Sequence, residues 1–275
     1  MSVINGKKLS EKIAEAFCEI NIVQSSFIKK KLSAVVPENE LQKTVINTMI
    51  ENGKTAERDR VPLCQDTGIP VIFIETGESQ CLPKEFEKLI GDAIDRKTFE
   101  CGMRFSIADK TIAKGKRLSN KPVIHLMSGK TKTTKVVVMA KGGGSENLST
   151  LIMMNPSSES SDIVKYVLDS IARVGAKGCP PYIIGIGLGG DSETCLIKAK
   201  MALTGRFGHN KSKYEKIISL GVFEGSKKLN IGVHGLGFGP TILDCRTIYT
   251  PSHIATLPLG IVFNCFQERV REFTL

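Results

Sequence analysis

The sequence predicts an α/β protein with an irregular mixed architecture of helices and sheet. Segments with the apolar spacing of amphipathic helices alternate along the chain with short apolar runs that have the length of buried strands. The spacing of these segments is irregular, which argues against a simple doubly wound sheet. At 275 residues the chain can form a single domain over residues 1–275, with one large core or two modest lobes.

The predicted helices rest on apolar residues that recur three and four positions apart. In the first helical segment, Ile13, Ala16 and Phe17 share one face. Ser161 and Asp191 are residues that commonly cap the start of a helix. The further helical segments are Leu41–Ile50, Phe86–Ile94, Ser161–Val174, a stretch from Asp191, and Tyr214–Phe223.

The predicted strands are short apolar runs bounded by glycine, proline or polar residues. The first follows Pro70 and ends before Gly77. The predicted strands are Val71–Ile74, Val123–Leu126, Val136–Ala140, Tyr182–Ile186 and Leu259–Phe263.

Composition and charge exclude several classes of protein. With 41% hydrophobic and 24% charged residues, the chain has the composition of an ordinary globular protein. Its net charge is +10, but the basic residues are not interleaved with aromatic ones and match no nucleic-acid-binding motif. We therefore expect no nucleic-acid partner, and interpret the charge as a solvated surface, or as a means of attracting an anionic substrate or an acidic partner.

The apolar runs of the sequence indicate a cytoplasmic protein. No apolar stretch follows the first basic residues, so a secretory signal is not expected. The longest apolar runs, near Tyr182–Leu188 and Leu257–Phe263, are far shorter than the roughly 20 residues that span a bilayer. We expect no membrane partner.

The eight cysteines indicate metal chemistry in that compartment. Cytosolic thiols stay reduced, so such a set is more often metal-binding or catalytic than disulfide-bonded. The sequence has no Cys-x-x-Cys pair, whereas zinc ribbons and ferredoxin-type clusters normally take closely spaced ligands. Any metal ligands must therefore come from loops that are distant in sequence.

Two segments rich in small residues interrupt the periodic pattern in the first part of the chain. In Val61–Gly68, Cys64 stands beside Gln65 and Asp66, which offers a soft metal ligand next to a proton-transfer group. A buried structural cysteine beside a turn is the alternative. The segment Lys141–Asn147 contains three glycines and predicts either an anion-binding loop or a flexible turn.

Two further segments lie in the second part of the chain. Cys179 precedes a pair of prolines, which would preorganise a metal ligand or form a plain turn into a strand. The last segment contains His234, His253 and Cys265. A lone histidine in such a loop is more often a turn or core residue than a catalytic one.

Taken together and in this order, Pro-Leu-Cys-Gln-Asp-Thr-Gly, Lys-Gly-Gly-Gly-Ser-Glu-Asn, Cys-Pro-Pro and the His-x-Ala-x-Leu-Pro to Asn-Cys segment resemble the class I fumarate hydratase and L-tartrate dehydratase family. The resemblance covers about residues 10–270 and implies the architecture of the iron-sulfur hydro-lyase α subunit, with the cluster between its lobes. It also implies a 4Fe-4S cluster held by Cys64, Cys179 and Cys265, with the fourth iron open to substrate.

The resemblance assigns roles to further residues. It places Gln65 and Asp66 facing the substrate and makes Arg104 the residue that binds a substrate carboxylate. Asp66 is the candidate catalytic residue, in a proton-transfer or an orienting role. The remaining substrate-binding residues that it implies are Lys141, Gly142, Gly143, Gly144, Ser145, Glu146, Asn147 and His253.

The implied reaction is the reversible hydration of fumarate to malate, a small dicarboxylate substrate, with the open iron as Lewis acid. The alternatives are an L-tartrate dehydratase α subunit and a non-catalytic iron-sulfur paralogue. Nothing in the chain resembles the family's β domain, so a separate β subunit and a hetero-oligomer are expected. The stretch Ile231–Thr241 departs from the family pattern, with Val233 in place of a proline, so substrate choice stays open.

Cys245 and Cys265 compete for the third ligand position, and the resemblance favours Cys265. Cys245 lies between two charged residues, which predicts a thiol at the surface or in an interface.

Overall fold

The computed structural model describes residues 1–108 and 117–275. Its helices are α1 Gly6–Ile22, α2 Ser26–Ser33, α3 Glu40–Asp59, α4 Phe86–Glu100, α5 Gly143–Glu146, α6 Ser160–Val174, α7 Ser192–Thr204 and α8 Lys213–Ser226. Its strands are β1 Ser2–Val3, β2 Ile69–Thr76, β3 Gln80–Cys81, β4 Ile107–Ala108, β5 Arg117–Ser119, β6 Val123–Ser128, β7 Lys135–Lys141, β8 Thr150–Met154, β9 Tyr182–Gly189, β10 Ile242–Thr250, β11 Leu257–Asn264 and β12 Val270–Thr274. The predicted mixed α/β class is confirmed.

The chain divides into two compact units, and both are assembled from separate stretches of sequence. The first unit contains residues 1–29, 48–143 and 269–275, and the second contains residues 30–47 and 144–268. In the described part of the chain, no helix has both the length and the apolar character needed to cross a membrane.

A four-stranded sheet with the order β12-β7-β2-β6 forms the centre of the first unit. Strand β2 pairs antiparallel with β7 and parallel with β6, and β12 pairs antiparallel with β7. The apolar face of α1, which contains Ile13 and Phe17, packs with β2 and β7 residues such as Ile72 and Val138 in one core. The predicted face of α1 and the predicted strands β2, β6 and β7 are confirmed.

A disulfide in the first unit joins Cys18 of α1 to Cys101, the residue that ends α4. The two cysteines are 83 residues apart in the sequence. The expectation that the cysteines are present as reduced thiols is therefore wrong for this pair, because the packing of α1 against α4 brings the two sulfur atoms together.

The second unit contains a sheet with the order β10-β9-β11-β8. Every residue of β9 is buried. Strand β9 is parallel to β10 and antiparallel to β11. The even-numbered side chains of β9 pack with α6 and α8, which supply Ile163, Val167, Ile218 and Val222 to the same core.

The glycines of β9 allow α7 to approach the other face of this sheet. A Cβ atom added to Gly185 or Gly187 would overlap the backbone carbonyl oxygens of Ala199 or Cys195 in α7. The absence of a side chain therefore permits the close contact between helix and strand. These glycines have a packing role.

The predicted helix starts agree with the structure to within two residues. Asp191 caps α7, because its carboxylate accepts a hydrogen bond of 2.7 Å from the amide of Thr194. Helix α6 begins at Ser160 after Glu159, whose amide donates to Asp162 over 2.9 Å. Ser161 is therefore inside the helix, and its predicted capping role is wrong.

Candidate functional site

The loop that carries Cys64 and Asp66 is fixed by hydrogen bonds to helices of the first unit. The Leu63 amide donates to the Asn21 carbonyl over 2.8 Å, and the Asn52 side chain donates to the Leu63 carbonyl over 3.1 Å. The Cys64 thiol is partly exposed and lies 3.4 Å from Oε1 of Gln65, whose side chain is exposed. Loop and thiol are thus held in place while the sulfur stays accessible.

Both oxygen atoms of the Asp66 carboxylate accept backbone hydrogen bonds. Oδ1 accepts from the Gly68 amide over 2.9 Å, and Oδ2 accepts from the Gly143 amide over 2.7 Å. Gly68 has φ of +79°, and a Cβ atom there would lie 2.9 Å from the Lys141 carbonyl oxygen. Glycine is required at this position for both reasons, and the contact brings the Asp66 loop beside the end of β7.

The side chain of Arg269 also stabilises this loop, and no motif in the sequence pointed to it. Its Nη1 atom donates to the Asp66 carbonyl over 2.6 Å, to the Thr67 carbonyl over 3.2 Å and to Oδ1 of Asn21 over 2.7 Å. The side chain is only 3% exposed. An isolated arginine in a polar stretch gives no sequence signal of burial.

The structure brings Arg104 to the Asp66 loop. The Arg104 amide donates to Oγ1 of buried Thr67 over 3.0 Å, and its carbonyl accepts from the buried Asn120 side chain over 3.0 Å. The residue is exposed. Among residues 1–108 and 117–275, no carboxylate forms an ion pair with its guanidinium.

The segment Lys141–Asn147 has regular secondary structure, whereas its sequence predicted an anion-binding loop or a flexible turn. Lys141 is fully buried at the end of β7 and pairs with Ile69, and residues Gly143–Glu146 form the single turn α5. The Gly143 amide is already used by Asp66. Gly142 and Ser145 are buried, whereas Gly144 and Asn147 are exposed.

The Glu146 carboxylate forms contacts within the protein, and its role in binding substrate stays a prediction. In the second unit it forms an ion pair of 2.7 Å with Lys200, and it accepts a weaker hydrogen bond from the Ser149 hydroxyl over 3.4 Å. Both partners of the ion pair are largely buried. A direct contact of Glu146 with substrate would require this pair to open.

Cys179 and Cys265 meet at one end of the second unit's sheet. Cys179 precedes β9 and Cys265 follows β11, and because the two strands are antiparallel with Asn264 opposite Ile183, the two cysteines share an end. The Phe266 amide donates to the Cys179 carbonyl over 3.3 Å. Cys179 is exposed and Cys265 is partly exposed, and both thiols are free of disulfides.

Two aromatic residues fix the backbone around Cys179. The Tyr182 hydroxyl donates to the Gly175 carbonyl over 2.7 Å and accepts from the Gly178 amide over 3.0 Å. Burial raises the pKa of Tyr182 to about 12, and the nearby thiols of Cys179 and Cys265 act in the same direction. His234 lies beside both cysteine segments, because its amide donates to the Pro180 carbonyl over 2.9 Å and its ring meets the Phe266 ring edge-on at 5.2 Å.

His253 lies at the other end of the sheet. It stands between the end of β10 and the start of β11, whereas Cys265 follows the end of β11, about 25 Å away at the usual rise of a strand. The imidazole is exposed, and its Nδ1 accepts from the Ala255 amide over 3.1 Å. Within this unit the structure brings His234, and not His253, to Cys179 and Cys265.

Two further thiols are buried in the second unit. Cys195 and Cys245 are buried, and burial raises the pKa of the Cys195 thiol to about 12 and that of the Cys245 thiol further still. Cys245 lies on β10 opposite Ile184 in the core of the second unit. The expectation of a surface or interface thiol at Cys245 is therefore wrong, because the sheet encloses it despite its charged sequence neighbours.

A buried ion pair fixes the segment that follows Cys265. Arg246 donates to Glu268 over 2.9 Å and to Asp244 over 2.7 Å, and the Arg246 and Glu268 side chains are each 6% exposed. Arg246 also donates to the Leu203 carbonyl of α7. These bonds tie β10, α7 and the segment after Cys265 together.

The donor set fits an iron-sulfur cluster in its chemistry. Such clusters are held by cysteine thiolates and tuned by hydrogen bonds to sulfur, and Cys64, Cys179 and Cys265 are accessible cysteines that form no disulfide. Asn264, next to Cys265, is 1% exposed, and neither polar atom of its side chain has a hydrogen-bond partner among the described residues.

The three cysteines are divided between the two units. Cys64 belongs to the first unit, and Cys179 and Cys265 belong to the second. Over residues 1–108 and 117–275, no group of three or more His, Cys, Asp or Glu side chains is arranged to hold a metal ion. The pair Cys179 and Cys265 is thus the part of the predicted ligand set that one unit brings together.

Comparison with known proteins places the chain in a family. A family model described as fumarate hydratase (Fumerase) matches residues 10–274. The chain is 33% identical over 273 residues to a protein of Methanocaldococcus jannaschii that is provisionally named L(+)-tartrate dehydratase subunit alpha, and the match covers 95% of each chain. It is 23% identical over 270 residues to the L(+)-tartrate dehydratase subunit alpha of Escherichia coli K12, over 95% of this chain and 89% of that one.

Proposed function

The chain belongs to the fumarate hydratase (Fumerase) family, a family of hydro-lyases, and we propose that it is the cluster-binding subunit of an enzyme that hydrates fumarate to malate reversibly. The observation that carries the proposal is the pairing of Cys179 with Cys265 at one end of a buried sheet. An isolated structural cysteine would not require a second accessible thiol at the same place.

The proposed cofactor is a 4Fe-4S cluster with Cys64, Cys179 and Cys265 as its ligands. A bound cluster would supply Lewis-acid chemistry, since one of its irons has no cysteine ligand. The accessibility of the three cysteines, none of which forms a disulfide, and the buried amide of Asn264 support this choice. Asn264 would orient its N–H groups toward sulfur.

Arg104 suits one carboxylate of the substrate. Its guanidinium has no ion pair in the described part of the chain, and its planar fork can bind a carboxylate through two hydrogen bonds. The bonds from Thr67 and Asn120 fix its backbone next to the Asp66 loop. Arg104 can thus place the substrate beside Asp66 and Gln65.

Asp66 is the proposed proton-transfer residue. The Gly68 and Gly143 amides fix the orientation of its carboxylate, and each oxygen keeps a further lone pair with which it can accept a proton. Exposed Gly144 and Asn147 are available to substrate, whereas buried Lys141, Gly142 and Ser145 and partly exposed Gly143 would shape the wall behind it. His253 stays a prediction, and its place at the far end of the sheet does not support a role beside Cys179 and Cys265.

A separate β subunit is the proposed partner, in a cytoplasmic hetero-oligomer. The two relatives are named as alpha subunits, and the chain matches 95% and 89% of their lengths. The alpha subunit that each relative's name describes is therefore about as long as this chain. The β subunit would provide contacts for the second carboxylate of the substrate.

L-tartrate dehydration is the second candidate function, because both relatives carry that name. Malate and L-tartrate differ by one hydroxyl group, and an enzyme distinguishes such substrates by pocket shape and hydrogen bonding. The divergent stretch around Val233 and Phe238 lies in the unit that contains Cys179 and Cys265, and we propose it as a determinant of this choice.

The test is an anaerobic assay of the chain co-expressed with its β partner, with fumarate, malate and L-tartrate as substrates. The proposal predicts turnover of fumarate and malate above that of L-tartrate, and little activity of the chain alone. Asp66→Asn should lower kcat by about 10²–10⁴-fold, while the exposed control Glu224→Gln should not. Turnover of L-tartrate alone would favour the second function, and no turnover by a cluster-loaded complex would favour a non-catalytic paralogue.

A further inference from the structure

A cavity in the first unit exposes the disulfide between Cys18 and Cys101. Its volume is about 630 Å³, and its lining includes both cysteines together with Lys12, Arg60, Lys97 and Arg271. A cavity of this size lies within the range of roughly 300–1,000 Å³ that is typical of small-molecule sites. None of these residues takes part in the proposed hydro-lyase chemistry.

The charges around the disulfide favour an anion. Four cationic side chains face two carboxylates, Glu15 and Glu19. Glu19 is bound to Arg60 at 2.6 Å, and Lys97 is bound to Glu100 at 2.8 Å. Among the residues that the structure describes, Lys12 and Arg271 have no carboxylate within ion-pair distance.

Other residues of the cavity suit the apolar and ammonium groups of a small compound that carries a thiol. The Phe273 ring lies 5.7 Å from Nζ of Lys12 and gives the cavity an apolar wall. Glu15 is a carboxylate available to an ammonium group. A thiol peptide with carboxylates and one ammonium group matches this arrangement of charges.

The two sulfur atoms differ in accessibility. Cys18 is 6% exposed inside α1, whereas Cys101 is partly exposed at the end of α4. Thiol–disulfide exchange requires an attacking thiolate to reach one sulfur along the S–S axis, and nearby cations stabilise the thiolate that leaves. Cys101 is thus the sulfur open to attack and Cys18 the leaving group.

We propose that this cavity is a thiol–disulfide exchange site for a low-molecular-weight thiol that carries carboxylates. The incoming thiolate forms a bond to Sγ of Cys101, the bond between Cys101 and Cys18 breaks, and its electron pair leaves with Cys18 as a thiolate. A second thiolate then attacks the sulfur of the bound small molecule. This step releases the small-molecule disulfide and leaves Cys101 as a thiolate, so two thiols are oxidised as one protein disulfide is reduced.

The experiment compares three thiols on the full-length oxidised chain: anionic glutathione, neutral 2-mercaptoethanol and cationic cysteamine. Loss of the disulfide and mass gain on Cys101 are followed by alkylation and peptide mass spectrometry, with rates corrected for each compound's thiolate fraction. The cavity lining has a net positive charge, and electrostatic steering of this kind raises on-rates by about tenfold or more, so we expect a comparable preference for glutathione that is lost in high salt. The readout is covalent and does not depend on hydro-lyase activity.

The variant Lys12→Gln with Arg271→Gln tests the charges directly. It should lower the glutathione rate several-fold, leave the 2-mercaptoethanol rate within about twofold and raise the cysteamine rate. Lys43→Gln with Lys54→Gln, an equal change of charge on two exposed side chains in α3 outside the cavity lining, should change none of them. Equal loss for all three thiols, salt-independent rates of the parent chain, or an adduct confined to other cysteines would overturn the proposal, as would the absence of the disulfide from a non-reduced peptide map.

Discussion

At the scale of single residues, the side chain of Arg269 stabilises the Asp66 loop. It supplies hydrogen bonds to two loop carbonyls and to Asn21 from a buried position. We expect Arg269→Gln to lower the free energy of unfolding by about 3 kcal/mol, because it leaves buried acceptors without a donor. Chemical denaturation measures this change.

The matched control is Arg271→Gln, two positions further along the chain in β12, where the residue is exposed. It should change the stability by less than about 0.5 kcal/mol. Equal effects of the two substitutions would show that Arg269 does not hold the loop.

The accessibility of single thiols gives a second prediction. Burial raises the pKa of Cys195 to about 12 and also raises that of Cys245, so both stay protonated at pH 8 and are shielded from reagents. In the metal-free folded chain, iodoacetamide should label Cys64, Cys81, Cys179 and Cys265, and should reach Cys195 and Cys245 only after denaturation. Peptide mass spectrometry reads the pattern, and fast labelling of Cys245 in the folded chain would contradict the burial.

At the scale of elements, Glu215 joins the start of α8 to the end of β10. Its carboxylate accepts from the Ser212 amide over 2.6 Å, from the Ser212 hydroxyl over 2.9 Å and from the Tyr249 amide over 2.8 Å. Burial raises the pKa of Glu215, but these hydrogen bonds lower it by more, so that the net pKa lies below the ordinary value. The ionised carboxylate is therefore the form that stabilises the fold.

We expect Glu215→Gln to lower the free energy of unfolding by about 2 kcal/mol near neutral pH. Because the folded pKa is depressed, this contribution is present above about pH 4.3, the unfolded value, and is lost as the pH falls through the folded pKa. The parent and variant curves of stability against pH should therefore converge in acid. Glu224→Gln on the same helix serves as control, and a difference that widened in acid would refute the assignment.

The elements that the sequence predicted are those whose apolar pattern is uninterrupted. Strands β2, β7, β9 and β11 are runs of apolar residues, and the predicted position of each agrees with the structure. Strand β10 was missed because Asp244 and Arg246 interrupt its pattern, and the ion pair to Glu268 that lets Arg246 be buried is visible only in three dimensions. Strand β12 was missed because it is short and alternates with charged residues.

For the candidate site, the sequence named residues whose roles stay predictions. The motifs indicated Cys64, Asp66, Cys179 and Cys265, and the structure gives each cysteine an accessible thiol. The sequence could not show which histidine shares the end of the sheet with Cys179, since this depends on the antiparallel register of β9 and β11.

At the scale of the whole molecule, the central proposal is that Cys64, Cys179 and Cys265 hold one iron-sulfur cluster. Each unit has its own core, so replacing a single exposed thiol should leave the folds intact while it removes a ligand. Cys81 and Cys245 provide matched controls, because one is a partly exposed thiol outside the motifs and the other is a core thiol.

The most direct test is the iron and acid-labile sulfide content of the anaerobically purified chain and of its single Cys→Ser variants. The parent, Cys81→Ser and Cys245→Ser should carry the complement of a 4Fe-4S cluster, whereas Cys64→Ser, Cys179→Ser and Cys265→Ser should each lose most of it. Iron retained in Cys265→Ser and lost in Cys245→Ser, or a parent chain that binds a single zinc ion and no sulfide, would contradict the claim.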